Sequence, residues 1–311
     1  MKNIYTIGAI LVVGVLLIAG VVALFNPHND MLPPPQKHLQ WGAYTPEASE
    51  LHALETEVGK TADIGATFVG FNEPFPQDFV ATIGSPTTTP LIFLETPDGS
   101  TLKDVINGTY DSNLREFAAA AKAFGNPIIL VPFNEPNLNE SPWGFGTSKQ
   151  NTAGNFKNAW IHLHDLFAEA PNVKFGLAYN NVSIPETTDN TFEALYPGDA
   201  YVDYVGIDGF NWQEDGQWEI FADTIGSTTQ ELMQFNKPIY LFSIGTGEDT
   251  GGNPGLKAQW IQDMFAWIKE HPEVAGFVWF NEDKAQVGEK NWLIDSNPAA
   301  LAAFKAGLAQ Y

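Results

Sequence analysis

Glu135 and Ser243 are the two residues on which the chemistry of this chain turns. Residues 127–133 form an apolar run that ends in Asn134-Glu135-Pro136-Asn137. A second apolar run, 238–242, ends in Ser243-Ile244-Gly245. Both read as buried strands leaving turns, and polar side chains at such strand ends are where a barrel of parallel strands builds its sites. Two carboxyl groups across one barrel mouth, about 5–5.5 Å apart, suit displacement at an acetal carbon. One protonates the departing oxygen and the other attacks the carbon. Here the first place holds a carboxyl and the second a hydroxyl. A neutral serine does not stabilise a developing positive charge, and no base adjacent to it in the sequence would activate it.

The elements that must position these residues alternate along the chain. Short runs rich in Val, Ile, Phe and Tyr predict strands at 41–44, 66–71, 90–95, 127–133, 173–179, 201–208, 238–242 and 274–280. Longer stretches between them predict helices at 47–58, 113–124, 155–169, 218–235, 256–270 and 298–310. The alanine-rich segment before Gly125-Asn126 is strongly helical by propensity, and the glycine ends it. Eight continuous apolar strands alternating with helices point to a (β/α)8 TIM barrel. A doubly wound open sheet is the alternative, and the lack of a glycine-rich phosphate turn after the first strand disfavours it. The tripeptide Phe-Asn-Glu closes three of the strands, at Glu73, Glu135 and Glu282. Glu73, followed by Pro74, reads as a turn cap rather than a site residue.

The chain has 311 residues, of which 44% are hydrophobic and 13% aromatic, enough for one large core. Its formal charge is −22, which repels phosphate backbones and anionic headgroups. Nucleic acid is therefore excluded as a partner, while neutral polysaccharide carries no such penalty. With no cysteine, disulfides and thiolate metal sites are excluded. Histidine and carboxylate spacings typical of zinc are also absent, so neither metal nor cofactor is expected. Residues 7–25 carry no charge and follow Lys2; at about 1.5 Å per residue the run spans roughly 28 Å. This predicts a signal-anchor over 1–25, or a cleaved signal peptide, with the bulk of the chain outside the cytoplasm. Residues 26–40, with three consecutive prolines, then form a short stalk, and 41–311 the barrel.

At this level the chain resembles glycoside hydrolase family 26, within the large clan of retaining (β/α)8 glycosidases. The resemblance is carried by several motifs. They are Trp41-Gly42-Ala43-Tyr44, Asn107-Gly108-Thr109-Tyr110-Asp111, and Pro132-Phe133-Asn134-Glu135-Pro136-Asn137 with Pro142-Trp143-Gly144. The stretch from Tyr196 through Asp208-Gly209-Phe210-Asn211-Trp212 is the most specific, and Gly276-Phe277-Val278-Trp279-Phe280-Asn281-Glu282 resembles the eighth strand. The resemblance implies a catalytic pair acting on β-mannan or a related neutral β-glucan. It implies that Glu135 is the acid/base, that Asn134 binds the hydroxyl beside the anomeric carbon, and that Ser243 occupies the usual nucleophile position. Asn134 replaces the family's usual histidine, and Phe210 replaces the tyrosine that orients the nucleophile. Downstream, Glu248, Gly251-Gly252, Lys257 and Trp260 keep the family pattern, which argues against a slip in register.

Trp143, Trp212 and Trp279 are candidate sugar platforms, since an aromatic face suits the C–H face of a pyranose. Trp160, Trp260 and Trp267 lie within predicted helices and read as core. Asp208, closing the sixth strand, suits either a sugar hydroxyl or a loop contact. Glu248 reads as a residue that fixes its loop. Two functions follow. One is a β-glycosidase whose activity survives through another carboxylate, or whose nucleophile was deliberately removed. The other is a cell-surface polysaccharide-binding pseudoenzyme.

Overall fold

The computed structural model describes residues 38–213, 216–253 and 255–311. Eight parallel strands close into a barrel in chain order. They are β1 Gln40–Tyr44, β2 Ile64–Gly70, β3 Thr89–Glu95, β4 Ile128–Pro132, β5 Val173–Asn180, β6 Tyr204–Asn211, β7 Ile239–Thr246 and β8 Val274–Phe280. Pairing of β1 with β8, from Gln40 opposite Gly276 to Tyr44 opposite Phe280, seals the ring. The helices are α1 Ala48–Val58, α2 Gln77–Thr82, α3 Leu102–Ile106, α4 Asp111–Phe124, α5 Ala153–Leu166, α6 Phe192–Leu195, α7 Phe221–Leu232, α8 Gly255–Glu270 and α9 Pro298–Leu308. The (β/α)8 expectation is met. The open-sheet alternative is overturned by the β1–β8 pairing.

Two cores follow from the strand alternation. Ile64, Ala66, Leu91, Phe93, Ile129, Val131, Ala178, Phe242 and Val278 fill the barrel. The opposite faces of the same strands pack against the helices, Trp41 from β1 meeting a layer that includes Trp160 of α5 and Trp260 of α8. Phe242 lies where Gly176 and Gly206 make room: a Cβ on either would come within 2.6 Å or less of the phenyl ring. The floor beneath the barrel mouth is thus one large aromatic against two glycines.

Two boundaries differ from expectation in a way that bears on function. β6 runs on to Asn211 and β7 to Thr246, so Ser243 lies inside β7 rather than just past it. The cause is a bulge. Leu241 faces Ile207 but Ser243 faces the very next β6 residue, Asp208. On the other side Leu241 and Ile244 bracket only Phe277 to Trp279 of β8. An extra residue on one strand re-aims the side chains that follow it.

The expected helix at 218–235 begins at Phe221 and ends in a 3₁₀ turn, Met233–Phe235. Among the described residues no helix is long and apolar enough to cross a membrane. The anchor expected over 1–25, and the stalk as far as residue 37, lie outside the described residues.

Candidate active site

The turn leaving β4 is strained and tightly held. Phe133 and Glu135 both adopt left-handed backbone, with φ of 53° and 52°. Non-glycine residues there cost about 1 kcal/mol or more each and persist only where their surroundings over-determine them. Several bonds do so here. Phe133 N–H donates to Leu94 O (3.2 Å), Glu135 N–H to Ala178 O (2.9 Å) and Phe145 N–H to Pro136 O (2.9 Å). The Trp143 indole donates to Asn134 O at 2.7 Å. Phe133 itself is buried against Phe71, Phe156 and Trp143.

The turn brings Glu135 over the end of β5, where Asn180 Nδ2 donates to Glu135 Oε1 at 2.6 Å. From there a row of side chains crosses three strands, because residues in register on parallel strands share a face. Asn180 pairs with Asp208, and Asp208 with Ser243. Asp208 is buried, and the neighbouring Asn134 side chain and Ser243 backbone favour its ionised form against that burial. Its Oδ1 has no partner among the described residues. Glu135, Asn134, Asp208 and Ser243 therefore gather at one end of the barrel, as the sequence predicts.

Two carboxyls so placed are harder to ionise. Burial pushes Glu135 up to about 7, against the pull of the Asn180 bond, with Glu140 and Glu95 adding to the rise. Burial likewise drives Asp208 well above the usual carboxylate range, and the charge of Glu135 drives it further. Glu95, at the end of β3, is raised by its own burial and by Asp98 and Glu73.

Beside the carboxyls lies an aromatic basin. Tyr44 stacks on Phe280, with centroids 4.7 Å apart, and Phe68 meets Tyr44 edge-on at 5.0 Å. Phe210 packs edge-on to Phe280 and Trp292, and Trp212 packs on Trp292 at 4.9 Å. Tyr44, Phe68, Phe210 and Phe280 are each partly exposed, and Trp212 is 39% exposed.

This geometry corrects two expectations. Trp279 is fully buried: its indole donates to Trp292 O at 2.7 Å and its ring packs on Trp260 and Phe304. It faces the helices and offers no sugar platform; strand alternation gives the mouth-facing place to Phe280. Trp143, 4% exposed, braces the β4 turn and presents no open face either. Of the three expected platforms, Trp212 alone has a free face.

Other expectations hold. Glu248 accepts two bonds from Asn297 Nδ2 (2.7 and 2.9 Å) and one from Ser296, tying the β7–α8 loop to the start of α9. Lys257, to which the sequence assigns no role, is fully buried and donates to Asn291 O and Leu293 O (3.3 and 2.7 Å), holding the β8–α9 loop. Glu73 accepts from Gly70 N–H at 2.7 Å, as a turn cap should. Trp160 and Trp260 are core. Asn180, Glu95, Tyr44 and Phe280 were not singled out by sequence. Each ends or nearly ends a strand, so the strand-end rule that selected Glu135 would also have found them.

Raised carboxyls beside partly exposed aromatic rings thus gather at one end of a (β/α)8 barrel. The chain belongs to the glycosyl hydrolase catalytic core family, whose model matches residues 101–305. It is 32% identical over 278 residues to endoglucanase H of Acetivibrio thermocellus, a match covering 86% of this chain and 30% of that protein. The chain thus spans under a third of the length of this relative. Its fold is similar to that of an endo-beta-1,4-mannanase double mutant from Cellulomonas fimi. There the TM-score is 0.63 and the identity 17%, over 87% of this chain and 70% of the other. A GH26 beta-mannanase from Bacteroides ovatus has a TM-score of 0.60 and 13% identity, over 88% of each chain.

Proposed function

We propose that this barrel is of the family 26 type and handles β-mannan or a related neutral β-glucan, with Glu135 as its acid/base group. The observation that carries the reading is the state of Glu135. It is held by Asn180 and pushed up to about 7, so that near neutral pH a large fraction carries the proton a general acid must give. Glu135 protonates the glycosidic oxygen as the bond to the anomeric carbon breaks, and Asn134 binds the neighbouring sugar hydroxyl. Trp212 and the Tyr44–Phe280 pair supply apolar faces for the pyranose rings. The similarity to an endoglucanase and the mannanase folds support this substrate class.

Ser243 favours a second reading beside the first. The position where the family places its nucleophile carries a hydroxyl, and Phe210 stands where an orienting tyrosine would be. Losing a nucleophile removes several powers of ten in rate, each worth about 1.4 kcal/mol. A protein with that defect binds glycan and does not turn it over. One experiment separates the two: incubate the full chain with mannan and with mixed-linkage glucan, and measure reducing ends and binding together. New reducing ends, abolished by Glu135→Gln, support the enzyme. Binding without them supports the pseudoenzyme, and neither refutes the glycan reading.

We also propose that residues 1–25 anchor the barrel to a membrane, through the stalk, on the extracytoplasmic side. The uncharged run at 7–25 behind Lys2 supports this. Protease accessibility of the barrel in intact cells tests it.

A further inference from the structure

We propose that Asn180 is the positioning residue of Glu135: it selects which carboxyl oxygen carries the proton, with Val182 N–H fixing its amide so that Nδ2 faces the carboxyl and Asn137 holding the backbone around it. The bonds around Asn180 settle the amide's orientation. Val182 N–H, a donor only, bonds Asn180 Oδ1 at 2.9 Å. The other end of the amide must therefore be Nδ2, and it donates to Glu135 Oε1 at 2.6 Å. An oxygen that accepts this N–H takes on carbonyl character. In the acid form the proton accordingly resides on Oε2, the oxygen left to face a leaving group.

Asn137 holds the arrangement from behind. Its Oδ1 accepts Asn180 N–H at 2.9 Å, and its Nδ2 donates to Asn180 O and Val182 O at 2.9 and 2.7 Å. Its own carbonyl accepts Ile184 N–H and Asn190 Nδ2, each at 2.9 Å. Two residues from Glu135 in sequence, Asn137 thus clamps the β4 turn to the end of β5, with Asn180 itself 8% exposed. The carboxylates that raise Glu135 are Glu140 in the following loop and Glu95 on β3, while Asp208 on β6 is itself raised by the Glu135 charge. Burial and these carboxylates favour the protonated acid, and Asn180 is the donor that opposes them.

The role in catalysis rests on reading Glu135 as the acid, but the test does not. Full-length protein, in mild detergent and carrying glutamate labelled with ¹³C at the side-chain carboxyl, is titrated by difference infrared spectroscopy. The labelled C=O band missing from Glu135→Gln belongs to Glu135. Asn180→Asp is isosteric; ionised, it still accepts Val182 N–H but cannot donate to Glu135. The Glu135 midpoint should rise by about one unit or more in Asn180→Asp. Asn180→Ala should raise it by less, because it adds no negative charge. In wild type the acid band should show a free O–H partner and a hydrogen-bonded C=O, and the latter should weaken in both variants. A midpoint unchanged or lowered in the isosteric variant overturns the proposal. So does an unaltered C=O band. Either result leaves the glycan reading untouched, since no glycan enters the measurement.

Discussion

Glu135→Gln should make this protein more stable at alkaline pH and leave it nearly unchanged in acid. In the folded chain Glu135 titrates at about 7, against an ordinary 4.5. Between those values the folded state binds more protons than the unfolded one, so stability falls as pH rises. Below the lower value both states are protonated and the stabilisation is complete; above the upper one both are ionised and the loss is complete. The gap corresponds to about 3 kcal/mol, at roughly 1.4 kcal/mol per unit. Glutamine mimics the protonated acid and still accepts the Asn180 N–H, so its folded state carries no such penalty. Urea unfolding followed by tryptophan fluorescence should give equal stabilities near pH 4. Near pH 8 the variant should be ahead by about 3 kcal/mol, or roughly 5–10 °C in Tm. Asp208 shifts in the same direction and leaves a residual pH slope in both proteins. Removing the Glu135 charge also relieves Asp208, which widens the difference. A gap between the two proteins that does not change with pH would refute the placement of Glu135 in a desolvated, carboxyl-crowded turn.

Three further outcomes are expected. Ser243→Glu should raise hydrolysis of β-mannan or β-glucan by orders of magnitude, and Phe210→Tyr should raise it again; reducing-end assays check both, and continued binding without turnover would count against the vacancy as the only defect. Trp212→Ala should weaken glycan affinity roughly tenfold, about 1.4 kcal/mol, with little change in stability. Trp279→Ala should instead cost about 3–5 kcal/mol of stability through the cavity it leaves, and calorimetry beside glycan titration separates the two. Removal of residues 1–36 should yield a soluble barrel that unfolds cooperatively; a truncated chain that aggregates while the full chain folds in detergent contradicts a simple anchor.

The barrel was legible because its signals are additive. Eight apolar runs at helix-separated intervals admit few arrangements, and an error of a few residues at one boundary does not alter the count. β8 was placed to the residue, and β3 within one. The short helices α2, α3 and α6 were not foreseen. Four to six residues do not complete enough turns to show a helical period, and capping holds them instead, as Thr101 with Asp104 does for α3.

The site was legible only as far as strand ends could be located, and beyond that it depended on which face each residue takes. A strand's side chains alternate, so an assignment one residue out moves a group from the mouth to the helix layer. Trp279 shows the consequence. The family resemblance and the large aromatic face drew the platform role, yet in strand β8 it is Val278 and Phe280 that share the barrel face. In β7 the alternation is itself broken. Phe242 fills the barrel centre, and the bulge brings the next residue, Ser243, into register with mouth-facing Asp208. Strict alternation from Phe242 would have turned Ser243 toward the helices, and no local composition at 241–244 announces the extra residue. A motif carries such a bulge implicitly, whereas periodicity alone would have turned Ser243 away from the Asp208 row. At the β4 turn the reverse holds. Two left-handed residues leave no compositional trace, since neither Phe133 nor Glu135 is a glycine. The bonds that hold them come from Leu94 and Ala178, distant in the chain, and from the loop at 143–145 just downstream. What places the carboxyl is therefore tertiary, and it includes Asn180, 45 residues beyond Glu135 along the chain.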